Sequence, residues 1–463
     1  MEYCISPGAR RILQSLVRGG HEAYLVGGCV RDLLRGVAPH DWDICTSARP
    51  EETQRCFRGR RVLETGLKHG TITVLERGEA YEITTYRAEG PYSDSRRPDY
   101  VRFVSSLEDD LARRDFTMNA IAMGLDGSLR DPFDGVQDIQ AGLIRCVGSP
   151  DRRFQEDGLR VMRALRFAAV FGFALEEKTA QAIHDNRAVL KRVAAERINA
   201  ELCRLLTGGH AGDILRQYPD VLGQFWPELL PLTTLEQNTP WHCWDGWEHT
   251  VRTVEAAPAD VILRLTMLLH DIGKPLCRST DENGIDHFYG HPSLGARLAD
   301  EMLQTLKFDH KTREQVTALV NCHGVQIPCR SVRRWLNRLG LEVFFRLLQV
   351  KRADTMGQAR ELARDRLAQL DQLQETAEAL IAEGQCFTLK DLAVHGRDVL
   401  AAGISPGPEV GRTLNSLLEK VLNGELPNDR QVLLEQLRPA PSPAAPCPPL
   451  PGPCGEFPKS KCL

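Results

Sequence analysis

The sequence lacks the signals of membrane, secreted and disulfide-bonded proteins. None of its apolar runs approaches the ~18 residues that a membrane-spanning helix requires, and its N-terminus has no signal-peptide pattern. Its 14 cysteines are scattered along the chain without a CxxC pair or a regular spacing. Because a large intracellular chain of this kind keeps its thiols reduced, we expect free cysteines and a cytoplasmic location.

An excess of positive charge is also missing. The chain has 58 lysines and arginines against 62 aspartates and glutamates, which gives a net charge of −4. Since phosphate neutralisation drives non-specific binding to nucleic acid, this balance argues against a bulk nucleic-acid binder but leaves room for a shaped site for a folded RNA. With 463 residues, 42% of them hydrophobic, the chain is long enough for about three globular domains.

A glycine turn followed by paired aspartates is the first sign of chemistry. The apolar run at 23–26 ends in Gly27 and Gly28, and a short helical stretch follows, so the backbone and the helix N-terminus can approach a phosphate. Asp41 and Asp43 are two residues apart, which points both carboxylates to one face of the next predicted strand. Such neighbours repel each other unless a cation lies between them, and oxygen ligands suit Mg²⁺. Nucleotidyl transfer needs this combination of a phosphate cradle and a carboxylate metal site.

The surrounding segment, LVGGCVRDLLRGVAPHDWDICTSARPEE, resembles the signature of the superfamily of tRNA nucleotidyltransferases and bacterial poly(A) polymerases. The resemblance implies that Asp41 and Asp43 hold two Mg²⁺ ions, and that Gly28 and Arg31 bind the triphosphate. Glu82 lies in an alternating stretch that predicts a strand, where a third carboxylate can join the metal site. The superfamily has a glutamate at the matching position, near its catalytic carboxylates.

Two further segments extend the resemblance. The segment LARRDFTMNA matches the RRDFTxNA motif of the superfamily, which implies that Arg114 and Asp115 bind the phosphates and the ribose of the nucleotide. The polar segment EGPYSDSRRP, at residues 89–98, resembles a loop that helps tRNA nucleotidyltransferases to switch from one base to the other. Members that add only the two cytidines lack this loop, so its presence favours an enzyme that also adds the terminal adenosine.

The segment EDGLRVMRALR predicts a helix that reads bases. At helical spacing Asp157, Arg160 and Arg163 share one face, and the segment resembles the EDxxRxxR motif of the superfamily, in which side chains replace a nucleic-acid template. The resemblance implies that Asp157 and Arg160 bind the base, while Arg163 and Arg166 support this face or contact phosphate. A carboxylate accepts from the amino group of cytosine or adenine and an arginine donates to the neighbouring ring acceptor, whereas uracil and guanine present a carbonyl instead.

A second constellation, of histidines and aspartates, lies in the predicted helices beyond residue 210. One histidine on an apolar helix is usually a packed core residue, but several imidazoles together with carboxylates favour a divalent transition metal. The segment LRLTMLLHDIGKP and its neighbours resemble the HD phosphohydrolase domain. Some tRNA nucleotidyltransferases carry a similar domain, which is linked to phosphatase and 2′,3′-cyclic phosphodiesterase activity. The residues that this resemblance assigns to the metal are His249, His270, Asp271 and Asp354, with His291 and His323 as further candidate ligands.

Together these patterns predict an α+β protein. We expect a polymerase-β-like nucleotidyltransferase head with a mixed sheet and helices at 1–145, followed by an elongated all-α neck, body and tail that contain an HD domain. The expected boundaries are 146–209 for the neck with the base-recognition helix, 210–360 for the body with the HD domain, 361–437 for a tRNA-binding tail, and 438–463 for a disordered proline-rich segment.

The predicted reaction is template-independent addition of CCA to the 3′ end of tRNA from CTP and ATP, for tRNA maturation and repair. No membrane and no obligate protein partner are expected. Three alternatives stay open: an A-adding tRNA nucleotidyltransferase, a poly(A) polymerase that shares the head motifs, and a non-catalytic RNA-binding protein. The last is disfavoured because the paired aspartates and the arginine-rich face are intact, and a binding protein has no need of them.

Overall fold

A computed structural model describes residues 3–64, 66–67, 70–89, 101–239, 243–358, 360–385 and 387–437. Within these residues the chain forms two compact units. The first unit consists of the described residues up to 326 together with 342–371, and the second consists of 327–341 and the described residues from 372 onward. The predicted base-switching loop, apart from the backbone of Glu89, and the proline-rich segment from residue 438 lie outside the described residues.

The strands are short and most of them lie in the first half of the chain. In chain order they are β1 (Ala23–Val26), β2 (Asp43–Thr46), β3 (Arg61–Leu63), β4 (Thr71–Glu76), β5 (Glu79–Thr85), β6 (Arg87–Glu89), β7 (Val101–Phe103), β8 (Ala122–Met123), β9 (Leu129–Arg130), β10 (Leu143–Ile144), β11 (Ala174–Leu175), β12 (Ser279–Thr280) and β13 (Asp286–His287).

The helices of the first part of the chain surround these strands or follow them. They are α1 (Pro7–Arg18), α2 (Gly28–Leu34), α3 (Pro50–Cys56), α4 (Leu107–Ala112), α5 (Gly135–Ala141), α6 (Pro150–Glu156), α7 (Leu159–Phe171), α8 (Glu177–Asn186), α9 (Ala195–Leu206), α10 (Ala211–Gln217) and α11 (Pro219–Leu222).

The later part of the chain is almost entirely helical. Its helices are α12 (Gly246–Ala256), α13 (Val261–Leu269), α14 (Lys274–Cys277), α15 (His291–Thr305), α16 (His310–Cys322), α17 (Val332–Met356), α18 (Arg360–Ala382), α19 (Gly396–Ala401), α20 (Pro408–Leu422) and α21 (Arg430–Leu437). Gly340 has φ +74° and ψ 165°, so α17 consists of two helices that meet there. No helix of the described chain combines the length and the apolar character that crossing a membrane requires.

A seven-stranded mixed sheet forms the centre of the head. Its strand order is β3-β4-β5-β2-β1-β8-β9. Strands β2 and β5 are parallel, whereas the other neighbouring pairs are antiparallel. Part of the core behind the sheet is a cluster of buried side chains, namely Val26, Cys45, Tyr86, Leu111, Ala120, Ala122 and Val147. The mixed-sheet head and the helical remainder confirm the predicted fold class.

Side-chain caps fix the start of the two helices that lead into the histidine constellation. Asp245 accepts a hydrogen bond from the backbone N–H of Glu248 at 2.7 Å, and α12 begins beside it. Asp260 accepts from the N–H of Leu263 at 3.0 Å, at the start of α13. A capping carboxylate satisfies a backbone donor that the helix itself leaves unpaired. These local signals therefore set the position of each helix, and hence of its histidine, along the chain.

The second unit has its own hydrophobic core. Helices α19, α20 and α21 contribute most of it, and the buried residues are Leu392, Val394, Val399, Leu417, Leu418, Val421, Leu422, Leu433 and Leu437. Apolar side chains at helical spacing along α20 and α21 form this core, as expected for amphipathic helices that pack on one another.

Candidate active site and metal centre

Three carboxylates come together at one end of the central sheet, and we call Asp41, Asp43 and Glu82 the head carboxylates. Asp43 begins β2 and lies opposite Glu82 of the parallel neighbour β5. Paired residues of neighbouring strands point to the same face of a sheet, so these two side chains are adjacent. Asp41 lies in the bend before β2, so the strand begins later than predicted and does not include it.

The charges of the head carboxylates favour a bound cation. All three residues are exposed, yet protein atoms crowd Asp43. This partial desolvation raises the pKa of Asp43; Arg114 opposes the rise, while the charges of Glu82 and Asp41 add to it. Carboxylate oxygens are hard ligands, and an exposed set of them can admit a hydrated ion together with a large substrate. The donor set therefore fits Mg²⁺.

Gly27 lets the backbone pass close to these charges. Its φ is +76°, in the left-handed region that glycine adopts without strain. A Cβ at this position would lie 3.0 Å from Arg114 Nη1 and 3.7 Å from Asp43 Oδ2, so a side chain here would intrude between the guanidinium and the carboxylate. Arg114 Nη2 lies 3.5 Å from Asp110 Oδ2, and its buried Nε donates to no acceptor among the described residues. Nη1, which lies beside Gly27, is therefore the Arg114 nitrogen that an anionic substrate can reach.

Arg31 lies under the glycine turn and joins it to α7. Its Nη1 donates to Asn119 Oδ1 at 2.7 Å and its Nε to Asp32 Oδ1 at 3.0 Å. The guanidinium also lies over the ring of Phe171, 4.8 Å from the ring centroid. A Cβ on Gly28 would lie 3.5 Å from Arg31 Nη2, so this nitrogen is the part of the guanidinium nearest the turn. Arg31 is only 8% exposed, which limits its contact with a substrate to that edge.

Asp115 is a buried link between the head and α7. Its Oδ2 accepts from Arg163 at 2.6 Å and 2.8 Å, and its Oδ1 accepts from the N–H of Phe116 at 2.8 Å and from Asn119 at 3.1 Å. Burial alone would raise the pKa of Asp115, but the charge of Arg163 and the donor Asn119 hold it well below its usual range. The structure therefore places an ionised carboxylate behind the nucleotide-binding motif, with its oxygens already hydrogen-bonded.

The base-reading segment is two helices rather than one. Helix α6 ends and α7 begins on either side of Asp157 and Gly158, and Asp157 has extended backbone, with φ −137° and ψ 104°. The prediction that Asp157, Arg160 and Arg163 share a face of one helix is therefore wrong for Asp157. Asp157 instead precedes the helix: its Oδ1 accepts the backbone N–H of Leu159 at 3.1 Å, as an aspartate does when it caps a helix start.

Each arginine of the reading segment has an acidic partner on another element or turn. The pairs are Arg160 with Glu156 at 2.7 Å, Arg163 with Asp115 at 2.6 Å, and Arg166 with Glu201 at 2.8 Å. Arg160 is 8% exposed and also donates to the backbone carbonyl of Arg113 at 3.0 Å. Asp157 in turn pairs with Arg197 of α9. The guanidinium groups are therefore held in defined orientations by carboxylates.

Four imidazoles and two carboxylates converge in the helical body, and we call this set the body histidine centre. Its members are His249 in α12, His270 and Asp271 after α13, His291 at the start of α15, His323 after α16, and Asp354 in α17. Asp271 is at the middle: its Oδ2 lies 3.1 Å from His270 Nε2, and its Oδ1 lies 3.4 Å from His291 Nε2. Asp354 Oδ1 lies 3.2 Å from His249 Nε2.

The orientation of the four rings shows what the centre can hold. In every ring Nδ1 faces a backbone carbonyl and Nε2 faces the centre; the Nδ1 to oxygen distances are 3.1 Å for His249, 2.7 Å for His270, 2.7 Å for His291 and 2.7 Å for His323. A carbonyl only accepts, so each Nδ1 carries the proton and a neutral ring presents the lone pair of Nε2 inward. The Nε2 atoms of His249 and His270, and those of His291 and His323, are 3.2 Å apart. Facing lone pairs at this distance fit a cation between them.

Two groups in the centre have the spacing of metal ligands. The ligand atoms of His249, His270 and Asp271 all lie within 4.8 Å of one another, and so do those of Asp271, His291 and His323. Imidazole nitrogen with carboxylate oxygen is a donor set of transition metals such as Zn²⁺, Ni²⁺ or Co²⁺. Each group therefore fits one divalent cation, and Asp271 belongs to both.

The charges around Asp271 favour its ionised form, which can bind a cation. Lys274 Nζ lies 2.7 Å from Asp271. Burial would raise the pKa of Asp271, but His270 and Lys274 hold it well below its usual range. Burial lowers the pKa of His291, and burial together with the charge of His270 lowers the pKa of His323 to about 3. Burial would lower the pKa of His270, but the charge of Asp271 raises it. Asp271 is thus an ionised carboxylate beside His291 and His323, whose lowered pKa values favour the neutral ring that can bind a metal.

Sequence reasoning missed the residues that orient the predicted site residues. Asn119 and Lys274 lie within the motif segments LARRDFTMNA and LLHDIGKP, so their position in a motif was a signal for a role in the site. Arg197 and Glu201 gave none, because their partners Asp157 and Arg166 are 40 and 35 positions away in the chain. Only the folded arrangement of α7 and α9 brings these pairs together.

Family models match three parts of the chain. The model described as Poly A polymerase head domain matches residues 23–145, which include the head carboxylates. A model for the RNA and SrmB-binding site of polymerase A matches residues 172–219, and one for tRNA nucleotidyltransferase domain 2 matches residues 288–437.

The chain is also similar along nearly its whole length to curated enzymes and solved structures. It is 35% identical over 430 residues to the CCA-adding enzyme of Levilactobacillus brevis, covering 92% of this chain and 96% of that protein. It is 37% identical over 431 residues to the CCA-adding enzyme of Latilactobacillus sakei, with the same coverage. The crystal structure of the Bacillus stearothermophilus CCA-adding enzyme in complex with CTP matches with a TM-score of 0.69 and 31% identity, covering 94% of this chain and 97% of that one. The Thermotoga maritima CCA-adding enzyme complexed with tRNA shares the fold, with a TM-score of 0.60, 20% identity, and coverage of 94% and 95%.

Proposed function

Because the chain belongs to the family of CCA-adding enzymes, we propose roles for its residues in the reaction of that family and in a second one. The chain is a tRNA nucleotidyltransferase that adds CCA to the 3′ end of tRNA from CTP and ATP. Each step joins the 3′-hydroxyl of the RNA to the α-phosphate of the nucleotide, and pyrophosphate leaves.

The head carboxylates are the proposed catalytic residues. Asp41, Asp43 and Glu82 offer oxygen ligands to Mg²⁺, which supplies Lewis acidity toward the attacking hydroxyl and the departing pyrophosphate when it is bound. Gly28 and the Nη2 edge of Arg31 are the proposed triphosphate contacts on one side of this group.

Arg114 is the proposed triphosphate contact on the other side, because its Nη1 lies beside Gly27. Asp115 is proposed to act on the sugar and phosphates mainly through the orientation of Asn119 and Arg163, which its oxygens hold.

Base choice is assigned to the start of α7. Asp157 and Arg160 are the proposed base-reading pair, with an acceptor for the amino group of cytosine or adenine and a donor for the adjacent ring nitrogen. Arg163 and Arg166 support this pair from the next turns of the helix, held by Asp115 and Glu201. Uracil and guanine would set a carbonyl against the carboxylate, which leaves two acceptors facing each other.

The observation that carries this proposal is the register that pairs Asp43 with Glu82 beside the Gly27 turn and Arg114. The test uses the purified full chain and tRNA that ends at the discriminator base. CTP alone is expected to extend the RNA by two nucleotides, and CTP with ATP by three. Products are sized to the nucleotide, with each nucleoside triphosphate supplied singly and in combination.

The same assay separates the alternatives. A poly(A) polymerase would produce a long tail from ATP, and an A-adding enzyme would extend only tRNA that already ends in CC. A non-catalytic RNA-binding protein would bind the tRNA and leave its length unchanged. Extension by three nucleotides excludes all of them.

The body histidine centre supports a second candidate function, that of an HD-type phosphohydrolase. The favouring observation is that four inward Nε2 atoms and the carboxylate of Asp271 form two ligand groups that share Asp271. A divalent transition metal bound there supplies Lewis acidity toward a phosphoryl oxygen. Hydrolysis of a terminal 3′-phosphate, or hydrolysis of a 2′,3′-cyclic phosphate at its bond to the 3′ oxygen, would restore the free 3′-hydroxyl that the head needs.

The second function is tested by metal content and by hydrolysis. Protein prepared without chelator is analysed for metals and assayed on a phosphomonoester and on a 2′,3′-cyclic nucleotide with Mg²⁺, Mn²⁺, Ni²⁺ and Co²⁺. We expect bound metal and turnover, and we expect Asp271→Ala to lose both while it keeps CCA addition. His310→Ala is the matched control, because His310 is an exposed histidine of α16 outside the centre. Absence of both metal and turnover would reduce the centre to a set of packed side chains.

The proposal also assigns a role to each segment of the chain and a location to the protein in the cell. The neck at 146–209 reads the base, the body at 210–360 carries the histidine centre, and the tail at 361–437 binds tRNA. A cytoplasmic location is supported by the cysteines of the described residues, all of which are free thiols.

A further inference from the structure

Helix α9 presents charges to the reading segment that are opposite to those of the segment itself. Arg197 and Glu201 are four residues apart, so they lie on the same face of α9 one turn from each other. Arg197 pairs with Asp157, while Glu201 pairs with Arg166 at 2.8 Å and lies 4.0 Å from Arg163. The base-reading residues are thus matched by a second set of residues that does not touch a base.

The ion pair between Arg197 and Asp157 is bidentate. Arg197 Nη2 lies 2.9 Å from Asp157 Oδ2, and Arg197 Nη1 lies 3.2 Å from Asp157 Oδ1. Oδ1 also accepts the backbone N–H of Leu159 at 3.1 Å. Two parallel bonds to a planar guanidinium fix the plane of a carboxylate as well as its position. The remaining lone pairs of Asp157 therefore point in one direction.

Asp157 needs such support more than a helical residue would. It lies between α6 and α7 in extended backbone, where no helix restricts its side chain. Arg197, by contrast, stands on a helix that is held at its far end: Arg264 Nη1 donates to the carbonyls of Leu206 at 2.7 Å and Gly208 at 3.0 Å. A functional group on a loop is most precise when a rigid element supports it.

We propose that Arg197 is a specificity-determining positioning residue, which acts through Asp157 to aim the carboxylate that accepts the amino group of cytosine or adenine. The proposal rests on the proposed base-reading role of Asp157. Without Arg197 the carboxylate turns more freely, so a base that lacks the amino group is penalised less. Discrimination between CTP and UTP then falls, while the head carboxylates and their chemistry stay intact.

The test measures the ratio of kcat/KM for CTP to that for UTP, and for ATP to that for GTP, on tRNA substrates. Arg197→Met keeps most of the side-chain length but removes the charge and both donors, and we expect it to lower these ratios about 10-fold, since a full base contact is worth ~5- to 150-fold. Arg197→Lys keeps a charge without the bidentate geometry, and we expect about half of the loss on a logarithmic scale. Arg204→Met is the matched control, because Arg204 is an exposed arginine of the same helix.

A double-variant cycle separates positioning from general damage. In an Asp157→Ala background, Arg197→Met should change the ratios no further, because its target is gone. Unchanged ratios in Arg197→Met, with relaxed ratios in Asp157→Ala, would overturn the role of Arg197 and leave the base-reading role standing. Unchanged ratios in Asp157→Ala itself would overturn the base-reading role, and an equal effect of Arg197→Met in both backgrounds would show that Arg197 does not act through Asp157. If Arg197→Met does not fold, the same cycle is carried out with Arg197→Lys. Selectivity ratios in Arg197→Lys that equal those of the wild type would then overturn the proposal.

Discussion

The head carboxylates and the body histidine centre differ in almost every property that decides what a site can bind. Asp41, Asp43 and Glu82 are exposed oxygen donors at a strand end. In the body, His249 and His270 are at most 1% exposed, and their nitrogens converge with carboxylate oxygens in the interior. An open oxygen set suits a weakly held, hydrated ion that works together with a large substrate, whereas an enclosed nitrogen-rich set suits a tightly held transition metal.

The residues around the two groups also differ: those around the head carboxylates leave space for a substrate, and those around the body histidine centre hold its ligands in place. Beside the head carboxylates, Gly27 leaves space between Nη1 of Arg114 and the carboxylate of Asp43, as a triphosphate site requires. Around the body centre each ring Nδ1 faces a backbone carbonyl and Lys274 faces Asp271, so protein partners hold the ligand side chains in place. The comparison teaches that one chain can hold two different donor sets, one accessible to a large substrate and one preorganised in the interior.

The largest effect is expected from a change that breaks only the open site. Asp43→Asn keeps the size of the side chain but removes its charge from the group with Glu82 and Asp41. We expect nucleotide addition to fall by more than about 10³-fold, because the loss of a single preorganised electrostatic contact already costs ~10²–10³-fold. Single-turnover incorporation of CTP measures the loss.

Two controls accompany this change. Asp126→Asn alters an exposed aspartate in the turn between β8 and β9 and should leave the rate unchanged. Filter binding should show that Asp43→Asn still binds tRNA, because phosphate contacts to the RNA do not depend on this carboxylate. Normal incorporation by Asp43→Asn would contradict the catalytic role of the head carboxylates.

Treatment with a chelator compares how fast the head carboxylates and the body histidine centre lose their metal ions. A brief treatment with chelator should stop nucleotide addition at once, and added Mg²⁺ should restore it, since exposed ligands exchange their ion freely. The metal of the body centre should survive the same treatment, because Asp271 and His270 are at most 2% exposed. Elemental analysis before and after the treatment provides the measurement. A body metal that leaves as quickly as the Mg²⁺ would remove the distinction between the two sites.

A smaller effect is expected at Asp115, which contrasts with Asp43 inside the head itself. Arg163 and Asn119 hold the pKa of Asp115 below its usual range, against the effect of burial, whereas crowding raises the pKa of Asp43. A lowered pKa means that the ionised carboxylate stabilises the fold above its unfolded value of about 4, and that this contribution is lost as the pH falls toward the folded value.

The variant Asp115→Asn should therefore lower the free energy of unfolding by about 1–3 kcal/mol at pH 7. The difference from the wild type should shrink as the pH falls below about 4. Urea denaturation at both pH values measures it, with Asp109→Asn as an exposed control in α4. A difference that grows on acidification would show that the pair with Arg163 does not hold Asp115 in its ionised form.

Much of this arrangement could be predicted from local sequence. The alternation around Glu82 and the short strand at Asp43 depend on neighbours along the chain, and both strands formed, although β2 begins at Asp43 and leaves Asp41 in the bend before it. The prediction failed at Asp157, because residues at helical spacing continue through it, while its backbone is extended and its side chain caps the start of α7. Periodicity does not distinguish an aspartate inside a helix from one that caps the next helix, and the pair of Asp157 with Arg197, 40 positions away, is not encoded locally.

The body histidine centre also shows that local sequence marks single residues but does not predict how distant helices bring them together. The HD pair, His270 and Asp271 directly after an apolar helix, is a local signal, and the role of these residues as metal ligands stays a prediction. The division of Asp271 between two ligand groups depends on how α12, α13, α15 and α16 pack. Helix packing is decided by contacts among distant residues, so the shared carboxylate became visible only in the folded chain.

One crossed experiment tests the separation of the two sites most directly. The wild type, Asp43→Asn and Asp271→Asn are each assayed for CCA addition, for hydrolysis of a 2′,3′-cyclic nucleotide, and for bound transition metal. We predict that Asp43→Asn loses only CCA addition, and that Asp271→Asn loses only hydrolysis and metal. Loss of both activities through either single change, or a wild-type protein without metal and without hydrolysis, would contradict the account of two independent centres on one chain.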